Sequence, residues 1–420
     1  LDRVSRRHFD RLEGDPHDEE SLERTADRIR GLGLFGRVNV DATPISATQT
    51  VITTSVEERN TGSLGVGLTY AKQSGVGYTL SLTERNLLGR GQTIGVSISA
   101  GDDERSYSLH FVEPYLLDRD LEFGFNIGSD EIENFAGFAD FNESDLGSYL
   151  AFPISERGRL TADIGYTRQK SKRLPQRVVD ESRLIDWQFP KPNNKREFVS
   201  IGLSYSHDTI SSGVYTDRGF RFGISQRLSF SDRTTVAKTQ ASVTGQTVRG
   251  KATLQARLRG GFVASTGNRS THIFDRFHSN TSIIRGFESY GIGPRTGYHQ
   301  LPLGGNRFVS LQLEALHPIV EGDINVSGAL FTDAATIWGL DDTNDCNNVE
   351  EIPNKNYCSN RTDSMKGQGV DDGSKIRATT GVGLIVGTPI GPMRFDFSKA
   401  FRKYAGDRTQ SFSLTFGSSF

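Results

Sequence analysis

From residue 61 onward, hydrophobic and polar residues alternate with a period of two in short segments that turn residues separate. Such alternation places successive side chains on opposite faces of a β-strand. Segments of this kind include SLGVGLTYA at 63–71, LEFGFNIGS at 121–129, FRFGISQRLSF at 220–230 and IRATTGVGLIVG at 376–387. All such segments together give 16 candidate strands, so the sequence predicts a mainly β protein with an even number of strands.

Residues 1–60 have a different pattern, which is helical at first. In SRRHFDRL and DEESLERTADRIRGLGLF, apolar residues recur at helical spacing, with Leu22, Ala26 and Ile29 on one face. Two short alternating stretches, GRVNVDA and TVITTSVEER, follow. We therefore predict a truncated α+β module at residues 1–60, whose first strand is missing, and a second domain at residues 61–420.

The connections between the candidate strands fall into two length classes. NLLGR, YLLDRD, ISER and TPIGP are short and lie at alternate junctions, whereas long polar loops are predicted at 130–142, 170–194, 266–304 and 340–373. Short turns on one rim and long loops on the other are typical of an outer-membrane barrel with an even number of strands. The sequence thus predicts a 16-stranded antiparallel transmembrane β-barrel.

The two faces of the last strands support a membrane barrel. In the final strand, Phe412, Leu414 and Phe416 share one face, and small hydroxyl residues share the other. In MRFDFSKAF, aromatic residues again share a face, while Arg394 and Asp396 share the opposite one. A soluble barrel would turn its apolar face inward, so charges inside and aromatic residues outside indicate contact with lipid.

The composition excludes other classes of protein. The chain is 35% hydrophobic and has a mean hydropathy of −0.45, and it contains no apolar run of 18 residues, so no transmembrane helix is predicted. The net charge of −2 arises from 49 basic and 51 acidic residues that are evenly spread. This balance gives no electrostatic basis for binding nucleic acid.

Candidate chemistry is sparse. The eight histidines are scattered, and no serine or cysteine lies in the sequence context of an activated nucleophile, so we predict no enzymatic activity and no cofactor. Cys346 and Cys358 lie in a polar loop at a spacing that fits no metal site. They form either a disulfide, which is the preferred interpretation, or two free thiols. A disulfide would imply an oxidising compartment.

The stretch IIRGFESYGIGP at 283–294 combines a fixed cation, several glycines and apolar residues. Its glycines and proline exclude the middle of a helix or of a central strand, so the stretch belongs to a loop. A loop that carries both Arg285 and apolar residues is predicted to fold back onto another part of the protein.

Several stretches resemble the BamA-type outer-membrane assembly factors, which carry periplasmic POTRA modules ahead of a 16-stranded barrel. VEERNTGSLGVGLTY resembles the junction of the last POTRA module and the first strand, and RGFESYGIGP resembles the motif of the sixth extracellular loop. GGNRFVSLQLEALHP, FTDAATIW, GVGLIVGTPIGPMRFDFSKAF and the aromatic-ended final strand resemble the strands that follow. The resemblance covers essentially the whole chain. It implies a protein that folds β-barrel proteins and inserts them into the bacterial outer membrane, with residues 1–60 in the periplasm.

The resemblance also implies a role for the loop arginine. In the family this arginine enters the barrel and pairs with acidic residues of the inner wall, and the matching positions here are Arg285, Glu314 and Asp333. The alternation of polar and apolar residues independently places both carboxylates in the lumen, and a planar guanidinium can bind two carboxylates at once. We call these three residues, together with Gly286 and Phe287, the loop latch. The glycine is expected to allow a close backbone approach, and Phe287 to wedge into the lumen.

A barrel that inserts other barrels must open, and the predicted opening is the seam where the first strand meets the last. Glycines make the first strand adaptable. Antiparallel alignment of the two strands predicts that Ser63 lies opposite Gly417 and that Leu68 lies opposite Phe412. The predicted seam residues are Gly62, Ser63, Gly65, Gly67, Phe412, Leu414, Phe416, Gly417 and Phe420.

The resemblance implies three kinds of partner: outer-membrane lipid, unfolded β-barrel clients and, through the POTRA modules, periplasmic lipoproteins of the assembly machine. Two alternatives stay open within the same superfamily. One is a relative that assembles autotransporters, and the other is a two-partner secretion transporter that exports a passenger through its pore. We expect the native protein to extend before Leu1, and the modules there would distinguish the first alternative from the assembly factor.

Overall fold

The structure of the chain is a computed structural model that describes most of its residues. The described positions are 18–46, 48–71, 75–102, 104–135, 139–172, 195–210, 218–232, 234–266, 271–296, 300–322, 324–341, 372–388 and 391–416, with the single residues 4, 6, 7, 9, 14 and 370. Most of the first predicted helix lies outside these positions, as do Cys346, Cys358, Gly417 and Phe420.

The residues before the barrel form a helix and a two-stranded antiparallel sheet. Helix α1 spans Glu19–Gly31 and begins after Asp18, whose side chain accepts a hydrogen bond from the backbone N–H of Glu20. Strand β1 (Phe35–Ser46) pairs with β2 (Gln49–Glu58). Val4, Ile29, Leu34, Phe35 and Val38 form a buried apolar cluster in this segment. The segment is therefore an α+β unit with a small core of its own.

The rest of the described chain forms a closed barrel of 16 antiparallel strands. They are β3 (Gly62–Ala71), β4 (Gly75–Leu87), β5 (Gln92–Gly101), β6 (Glu104–Glu113), β7 (Glu122–Phe135), β8 (Ala139–Ser155), β9 (Gly158–Ser171), β10 (Lys195–Asp208), β11 (Gly219–Phe230), β12 (Thr235–Arg249), β13 (Ala252–Ser265), β14 (Arg307–Val320), β15 (Val326–Trp338), β16 (Arg377–Thr388), β17 (Gly391–Arg402) and β18 (Phe412–Phe416). Each strand pairs with its neighbours in sequence, and β18 pairs with β3 to close the wall. The predicted fold class is confirmed.

The outer face of the wall is apolar. In β3 the exposed side chains of Leu64, Val66 and Leu68 alternate with small residues, and in β4 Leu80 and Leu82 are likewise exposed. A wall that is apolar outside and polar inside is that of a barrel that spans a lipid bilayer. In the part of the chain that the structure describes, no helix is long and apolar enough to cross a membrane.

One of the predicted loops is wrong. The polar stretch 130–142 continues the hairpin of β7 and β8, which reach Phe135 and start again at Ala139. Asp130 lies opposite Glu143 within this extension. Both faces of a hairpin that rises above the lipid are in water, so the period-two signal fades while the backbone ladder continues. Polarity alone therefore did not mark the end of the strands.

Within the described residues, three residue pairs form the seam between β3 and β18, and its register differs from the predicted one. Tyr70 lies opposite Leu414, and Leu68 lies opposite Phe416. The antiparallel direction agrees with the sequence, but the prediction that Leu68 faces Phe412 is wrong. The reason is that the residues just before β18 bind a loop inside the barrel.

Pairs of introduced cysteines test this register. In a background without the native cysteines, Tyr70→Cys with Leu414→Cys should form a disulfide on mild oxidation, because directly opposed residues of antiparallel strands approach within bonding range. Leu68→Cys with Phe412→Cys should form none. Non-reducing gels and mass spectrometry measure both products, and the reverse result would restore the register predicted from the sequence.

Candidate functional site

The connection between β13 and β14 turns inward and packs in the lumen. We call its described residues, 271–296 and 300–306, the inner loop. Its buried apolar side chains include Ile283, Ile284, Phe287 and Ile292. They form one cluster with the wall residues Val236, Val263, Phe308, Ala335 and Ile337. Apolar contact with the wall therefore holds the inner loop inside the barrel.

Arg285 of the inner loop binds two carboxylates of the wall. Its Nε and Nη2 atoms donate to the two oxygens of Asp333 on β15, at 2.8 and 2.7 Å, and its backbone N–H donates to the same residue at 3.0 Å. Its Nη1 atom donates to Glu314 on β14 at 3.1 Å. The structure thus brings together the three charged residues of the predicted loop latch.

These ion pairs are largely withdrawn from water. The exposed fraction of the side chain is 12% for Arg285, 14% for Glu314 and 0% for Asp333. The guanidinium also lies over the ring of Phe331, 3.9 Å from its centroid. Burial by itself lowers the pKa of Arg285, but the hydrogen bonds and negative charge of Asp333, with the charge of Glu314, raise it above its ordinary value. The arginine therefore stays charged at physiological pH.

Gly286 brings the backbone of the inner loop against the wall. Its φ is +83°, in the region that favours glycine. A Cβ atom at this position would lie 2.9 Å from Cγ2 of Thr379 and 3.1 Å from Oγ of Ser398. The Oγ1 of Thr379 also donates to the backbone oxygen of Arg285 at 2.9 Å. Beside this contact, Phe287 is only 1% exposed and fills space in the lumen.

The inner loop also binds the segment that leads into β18. Phe287 and Thr409 form an isolated antiparallel bridge. The backbone N–H of Gln410 donates to the backbone oxygen of Gly286 at 3.1 Å, and two further backbone hydrogen bonds join the same segments. The main chain of the latch is therefore attached to residues 408–410, directly before the last strand.

A second arginine reaches the latch from β17. The Nη2 atom of Arg394 donates to Glu314 at 2.6 Å, and its Nε atom donates to the two oxygens of Asp396 at 3.0 and 2.9 Å. The alternation of residues in MRFDFSKAF placed both residues in the lumen, but their contact with the latch was missed. A strand pattern shows which face a side chain takes and not which residue it meets across the lumen.

Different polar groups anchor the other end of the inner loop. Asp341 accepts hydrogen bonds from the backbone N–H of Thr271 and from Nδ2 of Asn306, both at 2.7 Å. Arg276 donates to the backbone oxygen of Thr271 at 2.8 Å. Close to it, burial lowers the pKa of His278 to about 4, so this histidine is neutral at physiological pH. Among the described residues, no group of three His, Cys, Asp or Glu side chains is placed to hold a metal ion.

Comparison with known proteins assigns the family. A model of the Omp85 superfamily domain matches residues 86–420. The chain belongs to the Omp85 superfamily. It is 22% identical over 444 aligned residues to "Outer membrane protein assembly factor BamA" of Neisseria meningitidis, with 100% of this chain and 55% of the relative covered. The chain spans about half the length of the curated relatives it matches.

Two solved structures share the Omp85 fold. The crystal structure of BamA from Haemophilus ducreyi lacking POTRA domains 1–3 has a TM-score of 0.76 and 23% identity, and covers 100% of this chain and 82% of that one. CdiB from Escherichia coli has a TM-score of 0.61 and 11% identity, with coverages of 100% and 74%. At these identities the likeness concerns the fold.

The predicted seam residues of this Omp85 barrel lie on β3 and β18. Four of them lie on β3 and pair with β4. Gly62, Ser63, Gly65 and Gly67 are opposite Glu84, Thr83, Ser81 and Thr79, respectively. Within the described residues, β18 reaches β3 only at Leu68, Thr69 and Tyr70. The ring of Phe412 lies 6.5 Å from that of Tyr70 and 5.2 Å from that of Phe397. Of the predicted set, Phe412, Leu414 and Phe416 are therefore at the seam contact itself.

Replacement of the latch arginine should loosen the inner loop. Arg285→Ala leaves the fully buried carboxylate of Asp333 without its arginine, whereas Glu314 keeps Arg394, and breaking such a buried pair costs about 3 kcal/mol at the lower end of the usual range. We expect a lower free energy of unfolding and faster protease cleavage within the inner loop. Arg285→Lys should be intermediate, because an ammonium keeps the charge but not the planar fork. Cleavage at the normal rate in Arg285→Ala would contradict the latch.

Replacement of Gly286 tests the close approach separately from backbone strain. Gly286→Ala should lose about 1–2 kcal/mol from its positive φ and more from the contact of its Cβ with Thr379. Gly250→Ala is the matched control, because its φ is +62° and no atom lies within 4 Å of the added Cβ. Unfolding in urea measures both changes. Equal losses in the two variants would show that the close approach contributes nothing.

Proposed function

We propose that this chain is the membrane-spanning part of a BamA-type assembly factor, which folds β-barrel proteins and inserts them into the outer membrane of a Gram-negative bacterium. The client enters through the seam between β3 and β18, which opens sideways toward lipid. The observation that carries the proposal is that the wall closes at one junction of its first and last strands, where three residue pairs join β18 to β3 within the described residues. The names of the curated relatives, outer membrane protein assembly factors, support the same activity.

Among the described residues, the junction of β18 and β3 has the fewest residue pairs of any junction in the wall. Within the described residues, three residue pairs join β18 to β3, whereas five join β17 to β18 and 14 join β12 to β13. A backbone hydrogen bond contributes about 0.5–1.5 kcal/mol net, so the described pairs hold this junction less strongly than the described pairs of any other junction do. Closure depends on these pairs because they cover the two edges of the sheet.

The edge of β3 suits a client strand. In the described part of the chain, residues 62–67 pair with β4 and have no partner on β18. When β18 separates from it, the edge of β3 can pair with an incoming extended segment by β-augmentation. Gly62, Gly65 and Gly67 leave little side-chain bulk on this edge, so it can accept strands of different sequence.

The inner loop favours sideways insertion over transport through the lumen. Its apolar cluster and the pairs of Arg285 fix it to the wall, and a passenger in the pore would have to displace both. This observation weighs against the alternative of a two-partner secretion transporter. The likeness to CdiB concerns the fold and does not favour that alternative. Autotransporters are the alternative class of client.

The N-terminal segment fits a role in the periplasm. We propose that residues 1–60 are part of the last POTRA module and that such modules bind periplasmic lipoproteins and unfolded clients. The helix α1 and the strands β1 and β2 fit an incomplete module of that kind. The apolar outer face of the barrel binds membrane lipid. The proposed activity includes no enzymatic step and needs no metal or cofactor.

A reversible lock across the seam tests the route. In a background with Cys346→Ser and Cys358→Ser, the pair Tyr70→Cys and Leu414→Cys should form a disulfide that holds β3 on β18. The oxidised protein in proteoliposomes should fold an unfolded β-barrel client at a rate lower by roughly tenfold or more, and reduction should restore the rate. The heat-modifiable gel mobility of the client measures folding.

The control lock uses the same cysteine on the other neighbour of β18. Phe395→Cys with Leu414→Cys joins β17 to β18, which are already paired, and should leave the rate unchanged. If the seam-locked protein folds its client at the normal rate, the seam is not the route. The favoured hypothesis would then be that the substrate passes through the lumen.

A further inference from the structure

We infer that Arg394 is a positioning residue that couples the loop latch to the seam. It holds β17, and through β17 also β18, in the place where β18 meets β3. This inference rests on the proposed function, in which the seam is the working part of the barrel. The inference adds Arg394, a residue of the wall, to the loop latch. It also means that the latch affects how β18 is placed against β3.

Two guanidinium groups share the carboxylate of Glu314. Its Oε2 atom accepts from Arg285 at 3.1 Å, and its Oε1 atom accepts from Arg394 at 2.6 Å. The side chains of all three residues are at most 14% exposed, so water competes little for these contacts. Charge-assisted hydrogen bonds of this kind are the strong ones in proteins. Glu314 therefore ties the inner loop to β17.

The contact passes over the two strands between β14 and β17. Because β15 and β16 intervene, the backbones of β14 and β17 are about 14 Å apart along the wall, so the side chains must reach through the lumen. Gly383 on β16 leaves room for them. A Cβ atom there would lie 2.6 Å from Oδ1 of Asp396 and 3.6 Å from Nη2 of Arg394. The absence of a side chain at Gly383 therefore leaves the space that the ion pair occupies.

The ion pair of Arg394 and Asp396 lies on the strand that carries β18. Arg394 is opposite Thr415, and Asp396 is opposite Ser413. Thr415 is itself one of the residues that pair with β3. A shift of β17 therefore moves β18, and, counted over the described residues, the strain falls on the ladder of three pairs with β3 before it reaches the ladder of five pairs with β17.

The inner loop binds the hairpin of β17 and β18 at two levels along the barrel axis. Near the rim, its main chain is bonded to residues 408–410, which connect β17 and β18. Deeper in the lumen, Arg394 joins it through Glu314. The two attachments use different atoms of neighbouring loop residues, the backbone of Gly286 and the side chain of Arg285. Together they hold the hairpin to the inner loop at two levels, in addition to the ladder that pairs β17 with β16.

The rate of disulfide formation across the seam tests this coupling. Arg394→Met removes the charge, keeps most of the length of the side chain and leaves the pair of Arg285 and Asp333 in place. The seam reporter is the pair Tyr70→Cys and Leu414→Cys in the whole chain, lacking the native cysteines, in proteoliposomes without client. We expect disulfide formation to be slower by roughly threefold or more. Protease cleavage of the inner loop should stay at the wild-type rate.

A second ion pair of the inner loop provides the matched control. Arg196 on β10 binds Asp275 of the loop at 2.7 Å, and their side chains are 17% and 12% exposed, but this pair lies on another part of the wall. Arg196→Met should therefore leave the seam reporter unchanged. If it slows the reporter as much as Arg394→Met does, the effect is general loosening of the loop and the inference is overturned.

The conservative variant separates positioning from folding. Arg394→Lys keeps a positive charge beside Glu314 and should restore much of the reporter rate; it also serves if Arg394→Met does not fold. A wild-type rate in Arg394→Met, or no recovery in Arg394→Lys, overturns the coupling. Since the assay contains no client, these outcomes are independent of the client-folding experiment. A seam that proves not to be the client's route would leave the measured coupling standing.

Discussion

The ion pair between Arg285 and Asp333 is the interaction on which the interior of this barrel depends. A wall of 16 strands encloses more space than its own side chains fill, and the inner loop occupies part of that space. Asp333 is fully buried and would destabilise the wall without a partner. Arg285 binds it with two side-chain nitrogens and its backbone N–H. The apolar cluster that includes Ile284 and Phe287 packs next to the position in which the ion pair of Arg285 and Asp333 holds the inner loop.

The elements that depend on local pattern could be predicted from the sequence. The 16 strands followed from alternation over short segments, because a strand with one face in lipid and one in a polar lumen repeats every two residues. The same alternation placed Glu314 and Asp333 on the inner face. That these two residues meet Arg285 came from the resemblance to a family, since strand pattern carries no information about contacts across a lumen.

The features that the sequence did not predict depend on contacts between distant segments. The register of β18 against β3 is offset because residues 408–410 bind the inner loop, more than 110 positions earlier in the chain. The contact of Arg394 with Glu314 depends on the curvature of the wall and on the space at Gly383. The parts of β7 and β8 within residues 130–142 were predicted as a loop because both faces of that hairpin are polar. Without alternation of polar and apolar residues, the sequence does not show where these strands end.

The place of the inner loop in the chain sets the order in which the barrel completes its own folding. Arg285 is 29 and 48 positions away from Glu314 and Asp333, whereas Tyr70 and Leu414 at the seam are 344 positions apart. Closing a shorter stretch of chain costs less entropy, and contacts between distant residues form slowly. The interior is therefore organised while the wall is still an open sheet. We therefore expect the seam to be the last junction to form on folding and, with the fewest pairs among the described residues, the first to separate.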